Sequence, residues 1–125
     1  MRAFVFPGQG AQKVGMASSV LGSESAWFLD EASQILNVDV VELVTEGPEE
    51  DLQNTRISQG IILAVSYAIW QEKKRQWGLP VCFAGHSLGQ LTAAAAAGVL
   101  SFSDALMLAK HRGELMADAY PEGGG

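Results

Sequence analysis

Gly85-His86-Ser87-Leu88-Gly89 is the segment best suited to covalent chemistry. It has the G-x-S-x-G form of a nucleophile elbow, in which a serine sits on a sharp turn between a strand and a helix. A turn that tight needs small residues two before and two after the serine, and Gly85 and Gly89 supply them. Ser87 then stands at the tip with its hydroxyl exposed. The backbone N–H of Leu88 is placed to stabilise an oxyanion. The flanks agree. Val81-Cys82-Phe83-Ala84 reads as a buried strand in which Cys82 packs. Gln90-Leu91-Thr92 and Ala93 to Ala97 read as a helix ended by Gly98. Its small side chains let it lie close to a sheet.

A nucleophilic serine needs a base. The chain has two histidines. His86 adjoins Ser87, so its side chain leaves the elbow in another direction; it is a packing, polar-network or substrate-side residue and not the base. His111 follows Ser87 with Asp104 between, the chain order of a hydrolase-like triad. Both fall on one expected helix about 10 Å apart, too far for a hydrogen bond. That triad is rejected, so the chain offers a nucleophile without its base.

The last expected helix holds a second candidate. Ala105, Leu108, Ala109, Met116 and Ala119 form an apolar stripe at helical spacing, with Arg112 in its middle. Lys110, Glu114 and Asp118 form the polar face. A core-facing arginine is costly unless it meets an anion. One reading is a salt bridge or a side chain reaching out to solvent. The other is a two-pronged clamp for a substrate carboxylate.

The elements that must position these residues follow from pattern. Ala3 to Phe6, bounded by Pro7-Gly8, reads as a buried strand, and Gly8 to Gln12 as a loop. Ser25 to Leu36 reads as a helix carrying Trp27, Phe28, Ala32, Ile35 and Leu36 on one face. A short helix over Asp39 to Val44 ends at Gly47-Pro48, and the acids from Glu46 to Asp51 suit a solvated helix start. Ile57 to Trp77 reads as one long helix, apolar nearly all round in its middle and therefore buried. Lys73-Lys74-Arg75 near its end suits a helix C-terminus or a dock for an acidic partner. Ser101 to Asp104 is a capping box opening a helix to about Tyr120, stopped by Pro121. The order predicts an α/β fold with parallel strands.

Composition narrows the function classes. The chain has 125 residues, 48% hydrophobic and 18% charged, enough for one domain with a core. One cysteine excludes a disulfide scaffold and a multi-cysteine metal site. A net charge of −6 argues against nucleic acid as the main partner. No apolar run reaches the roughly 20 residues of a membrane helix and no signal peptide is visible, so the expected location is cytoplasmic, without membrane contact.

Phe4-Val5-Phe6-Pro7-Gly8-Gln9-Gly10-Ala11-Gln12, the elbow and the pair Arg112-Gly113 together resemble the malonyl-CoA:acyl carrier protein transacylase family, which includes the acyltransferase domains of fatty acid and polyketide synthases. The resemblance spans the whole chain and points to bacterial fatty acid synthesis. It implies that Ser87 takes the acyl group. Gln9 and Leu88 supply the backbone N–H groups of the oxyanion hole. Arg112 pairs with the free carboxylate of malonyl, and Gln59 lies near the acyl site. The implied substrates are malonyl-CoA and the phosphopantetheine thiol of acyl carrier protein, with no metal or other cofactor. The implied fold is a hydrolase-like three-layer α/β core with a parallel sheet. Alternatives are a serine hydrolase such as a thioesterase, or an acyltransferase of a polyketide pathway.

Two departures accompany the resemblance. Gln90 stands where the family usually has an acid, and it touches none of these roles. The family's catalytic histidine lies beyond Gly125, as does its ferredoxin-like subdomain. The expectation is therefore that residues 1–120 form the N-terminal part of the core. Residues 121–125 begin the crossover to the subdomain, and the missing C-terminal part is a partner without which the chain is inactive.

Overall fold

The computed structural model describes residues 1–119. Two strands, β1 (Ala3–Phe6) and β2 (Cys82–Gly85), pair in parallel with Ala3 opposite Cys82 and Phe6 opposite Gly85. Between them run α1 (Trp27–Leu36), α2 (Val40–Glu46), α3 (Glu49–Leu52) and α4 (Thr55–Trp77). After β2 come α5 (Gly89–Ala96) and α6 (Phe102–Ala119). The parallel α/β arrangement is the one expected. Tyr120 and the crossover at 121–125 lie outside the described residues.

Local chemistry sets the helix starts. Asn54 accepts from the Arg56 N–H, so α4 begins at Thr55, two residues before its apolar run. Asp39 accepts from the Glu42 N–H at the head of α2, and Ser101 from the Asp104 N–H at the head of α6. The acidic residues Glu49, Glu50 and Asp51 fill the first turn of α3. Ser25 sits in a 3₁₀ turn over Glu24–Ala26 rather than in α1 proper.

The centre of α4 is buried without a break from Ser58 to Ser66, as its continuous apolarity predicts. Around it pack Leu29, Ala32 and Leu36 of α1 and Ala105, Leu106 and Ala109 of α6. Each large apolar side chain buried there contributes about 1.5–3 kcal/mol. A smaller cluster of Phe6, Trp70 and Ala93, flanked by Phe4 and Phe83, joins the helices to one face of the sheet.

Four expectations need correction. The strands are not buried on both faces: Phe4, Phe6 and Phe83 point to the helices, whereas Val5 and Val81 are 69% and 65% exposed. Cys82 is exposed too and does not pack in a core. A continuous apolar run is the signature of a strand covered twice, but the described residues cover one face only. Trp27 of α1 is 57% exposed; Leu29, outside the expected stripe, takes the inward position. In α6 Leu108 is exposed, and Leu106 and Gly113 are buried instead, so the inward face is rotated relative to the expected stripe.

Candidate active site

Gly85-His86-Ser87-Leu88-Gly89 forms the turn between β2 and α5. Ser87 has φ of 54°, a left-handed conformation that a non-glycine residue adopts only where its surroundings impose it. The surroundings here are severe. A Cβ on Gly85 would overlap the Gly89 carbonyl, and one on Gly89 would overlap the Phe6 carbonyl of β1. These two contacts are why the elbow demands glycine at both positions. Leu88 is fully buried and anchors the turn from beneath.

The Gly8–Gln12 loop lies against the elbow. A Cβ on Gly8 would come within 2.8 Å of the His86 carbonyl oxygen and 3.3 Å of Ser87 Cβ. Among the described residues, the backbone N–H groups of Gln9 and Leu88 donate to no acceptor. The loop is itself braced. The Gly10 N–H donates to Gln12 Oε1 at 2.7 Å, and the buried Gln12 donates from Nε2 to Gln53 Oε1 at 2.8 Å.

Arg112 reaches this point from α6. Its Nη2 donates to Ser87 Oγ at 3.0 Å and its Nη1 to Gln59 Oε1 at 2.7 Å. The arginine thus faces the serine rather than a carboxylate. Gly113 makes that reach possible. It packs against the first turn of α4, where an added Cβ would come within 2.8 Å of the Thr55 carbonyl oxygen and 2.9 Å of that of Arg56. Gln59 is 0% exposed, yet its amide is satisfied. Its Nε2 donates to Gln9 Oε1 at 3.4 Å and to Met116 Sδ at 3.0 Å. Gln9 Nε2 in turn donates to Thr55 Oγ1 at 3.3 Å.

Ser87, Leu88, Gln9, Gln59 and Arg112 are therefore neighbours, although they span most of the chain. Thr55 and Met116 join them without having been singled out in the sequence. A threonine opening a helix and a methionine on an apolar stripe both read as ordinary structure. The histidines are not brought to the serine hydroxyl. His86 is exposed on the elbow. His111 is also exposed, with Nδ1 3.7 Å from a Glu114 carboxylate oxygen, which supports rejection of the Asp104–His111 triad. Gln90 is exposed at the start of α5. The basic triplet lies at the other end of α4: Lys73 is about 21 Å from Gln59 along the helix axis. There Arg75 pairs with Glu24 at 2.7 Å and Lys73 lies over the Trp77 ring. Among the described residues no three metal-ligating side chains converge, and no helix is long and apolar enough to cross a membrane.

The arrangement can present a serine hydroxyl, two backbone donors for a developing oxyanion and a cation for a neighbouring carboxylate. Comparison with known proteins places the chain in a family. Residues 3–125 match the family model described as "Acyl transferase domain". The malonyl CoA-acyl carrier protein transacylase of Salmonella typhimurium is 42% identical over 98% of this chain and 41% of its own length. That of Haemophilus influenzae is 45% identical over 98% and 41%. Among solved structures, an acyl carrier protein S-malonyltransferase from Vibrio cholerae superposes with a TM-score of 0.86 at 44% identity. It is matched over 97% of this chain and 40% of its own. A type II PKS acyl-carrier protein in complex with its malonyl-transacylase gives a TM-score of 0.88 at 43% identity, over 97% of this chain and 40% of the other. The chain thus spans about two fifths of the length of these relatives. With the family model matched from Ala3 onward, the chain belongs to the acyl transferase domain family.

Proposed function

We propose that the chain supplies the nucleophile and the acyl-selecting cation of an enzyme that moves malonyl from malonyl-CoA to the phosphopantetheine thiol of acyl carrier protein. The observation that carries this is the Arg112 guanidinium, 3.0 Å from Ser87 Oγ. A guanidinium matches a carboxylate in shape and charge, and at that distance it suits an acyl group with a free carboxylate close to the reacting carbonyl. Malonyl is such a group.

In the proposed sequence Ser87 Oγ attacks the thioester carbonyl and its proton passes to a base. The C–O bond forms as the carbonyl becomes an oxyanion, held by the N–H groups of Leu88 and Gln9. Collapse breaks the C–S bond, and the coenzyme A thiolate leaves and takes up the proton. The pantetheine thiol then attacks the malonyl-serine ester by the reverse path. The proposed base is a histidine outside this chain, as the family resemblance implies; the bonds recorded support that reading, since Ser87 Oγ is held by Arg112 and His111 lies by Glu114. Arg112 exchanges its bond to Ser87 for the malonyl carboxylate and stays fixed to Gln59. A neutral acyl group leaves this cation without a partner, a penalty of about 1–3 kcal/mol. None of these steps requires a metal or a redox group. Two names among the relatives fit the partner assignment: transacylases acting on acyl carrier protein, and a complex of one with its carrier.

The test uses a chimaera in which this chain replaces the matching two fifths of the Vibrio cholerae malonyltransferase. After loading with labelled malonyl-CoA, the label passes mainly to acyl carrier protein. Release mainly to water points to a thioesterase instead.

A further inference from the structure

Gln59, Gln9 and Thr55 form a relay whose direction is fixed by one residue. Arginine has donors and no acceptor. Gln59 must therefore turn its oxygen to Arg112, as it does at 2.7 Å. Its amide nitrogen then donates to Met116 Sδ at 3.0 Å and to Gln9, which must present oxygen, at 3.4 Å. The nitrogen of Gln9 is left needing an acceptor, and Thr55 Oγ1 provides one at 3.3 Å. Each of the last two bonds is long, but they hold opposite ends of one amide. Thr55 and Gln59 are four residues apart on α4 and so project from the same face. Gln59 lies within the stretch of α4 buried from Ser58 to Ser66, and Thr55 stands half-buried one turn before it.

We propose that Thr55 is a positioning residue for the loop at Gln9. Together with Gln59 it clamps the Gln9 side chain, which aims the backbone N–H of the same residue at the elbow. Arg112 polarises the clamp, so the group that selects the acyl chain also sets the geometry of the oxyanion donor. The purpose of the aimed N–H rests on the acyl-transfer proposal above; the hold on the loop does not. The side-chain hydrogen bond of Thr55 is to Gln9, through which it acts.

Backbone ¹⁵N relaxation on the chain itself tests this. In the unmodified chain the amide at position 9 is ordered, with an order parameter near 0.85, and in Thr55→Val it falls below about 0.6 while residues 61–65 of α4 stay rigid. Thr55→Ser keeps the oxygen and restores the order. Gln9→Ala removes the clamped amide without touching α4 and loosens position 9 in the same way, which keeps the test open if the valine variant folds poorly. Position 9 remaining ordered in Gln9→Ala or in a folded Thr55→Val, or loose in Thr55→Ser, would overturn the proposal. Failure of the acyl-transfer proposal shows separately, as no malonyl on Ser87 of the folded chimaera while the relaxation results stand.

Discussion

Ser87 and Arg112 meet through a hydrogen bond that ties a nucleophile to a cation. Such a bond occupies a lone pair of the hydroxyl until another acceptor draws the arginine away. A malonyl carboxylate is a stronger acceptor than a neutral hydroxyl, so it takes the guanidinium. Under the proposed function the acyl preference therefore resides in Arg112. In the chimaera, Arg112→Ala is expected to lower the preference for malonyl over acetyl thioester by about tenfold or more, the equivalent of losing a charge-assisted bond. Rates with the two thioesters, measured side by side, check this; an unchanged ratio removes Arg112 from selection. Much at this scale was legible in the sequence. The elbow shows because two glycines and a serine at fixed spacing serve a backbone geometry that few other residues allow. Arg112 shows because a cation on an apolar stripe demands an explanation. Thr55 and Met116 do not show, because their partners arrive through tertiary packing and leave no local pattern.

At the scale of elements, two close approaches set the site. The elbow needs α5 to start against β1, and α6 needs to cross the head of α4 at Gly113. An added methyl at Gly113 meets two backbone carbonyls that cannot move independently. Gly113→Ala should destabilise the fold by about 1–3 kcal/mol, read by urea denaturation, and draw Arg112 away from Gln59. Far from the site, Ser25 Oγ donates to Glu72 Oε1 at 2.6 Å and fastens the turn before α1 to α4. This bond, helped by Ser23 and Arg75, holds the Glu72 carboxyl below its ordinary value. A lowered folded-state value stabilises the fold above the ordinary carboxylate range, and that contribution is lost as pH falls through the lowered value. Ser25→Ala should raise the Glu72 titration midpoint, as followed by NMR; an unmoved midpoint means the hydroxyl is not its main cause. The helices were readable from apolar periodicity. Which apolar residues lie inward was less so: Trp27, Leu108 and Val81 satisfy the pattern yet face outward, since periodicity gives a face and not what covers it.

For the whole molecule, charge and chemistry point in one direction. The nucleophile, the proposed oxyanion donors and the proposed clamp converge, whereas both histidines among the described residues are turned elsewhere. The chain alone, incubated with labelled malonyl-CoA, is expected to take up negligible label, because a serine without its base is a weak nucleophile. Stable labelling of the isolated chain would place the base within it. The most direct measurement is intact mass followed by peptide mapping of the folded chimaera after exposure to malonyl-CoA. The account predicts one malonyl group, carried on Ser87 and absent in Ser87→Ala. A malonyl group on any other residue, or none on a chimaera that folds, would contradict it.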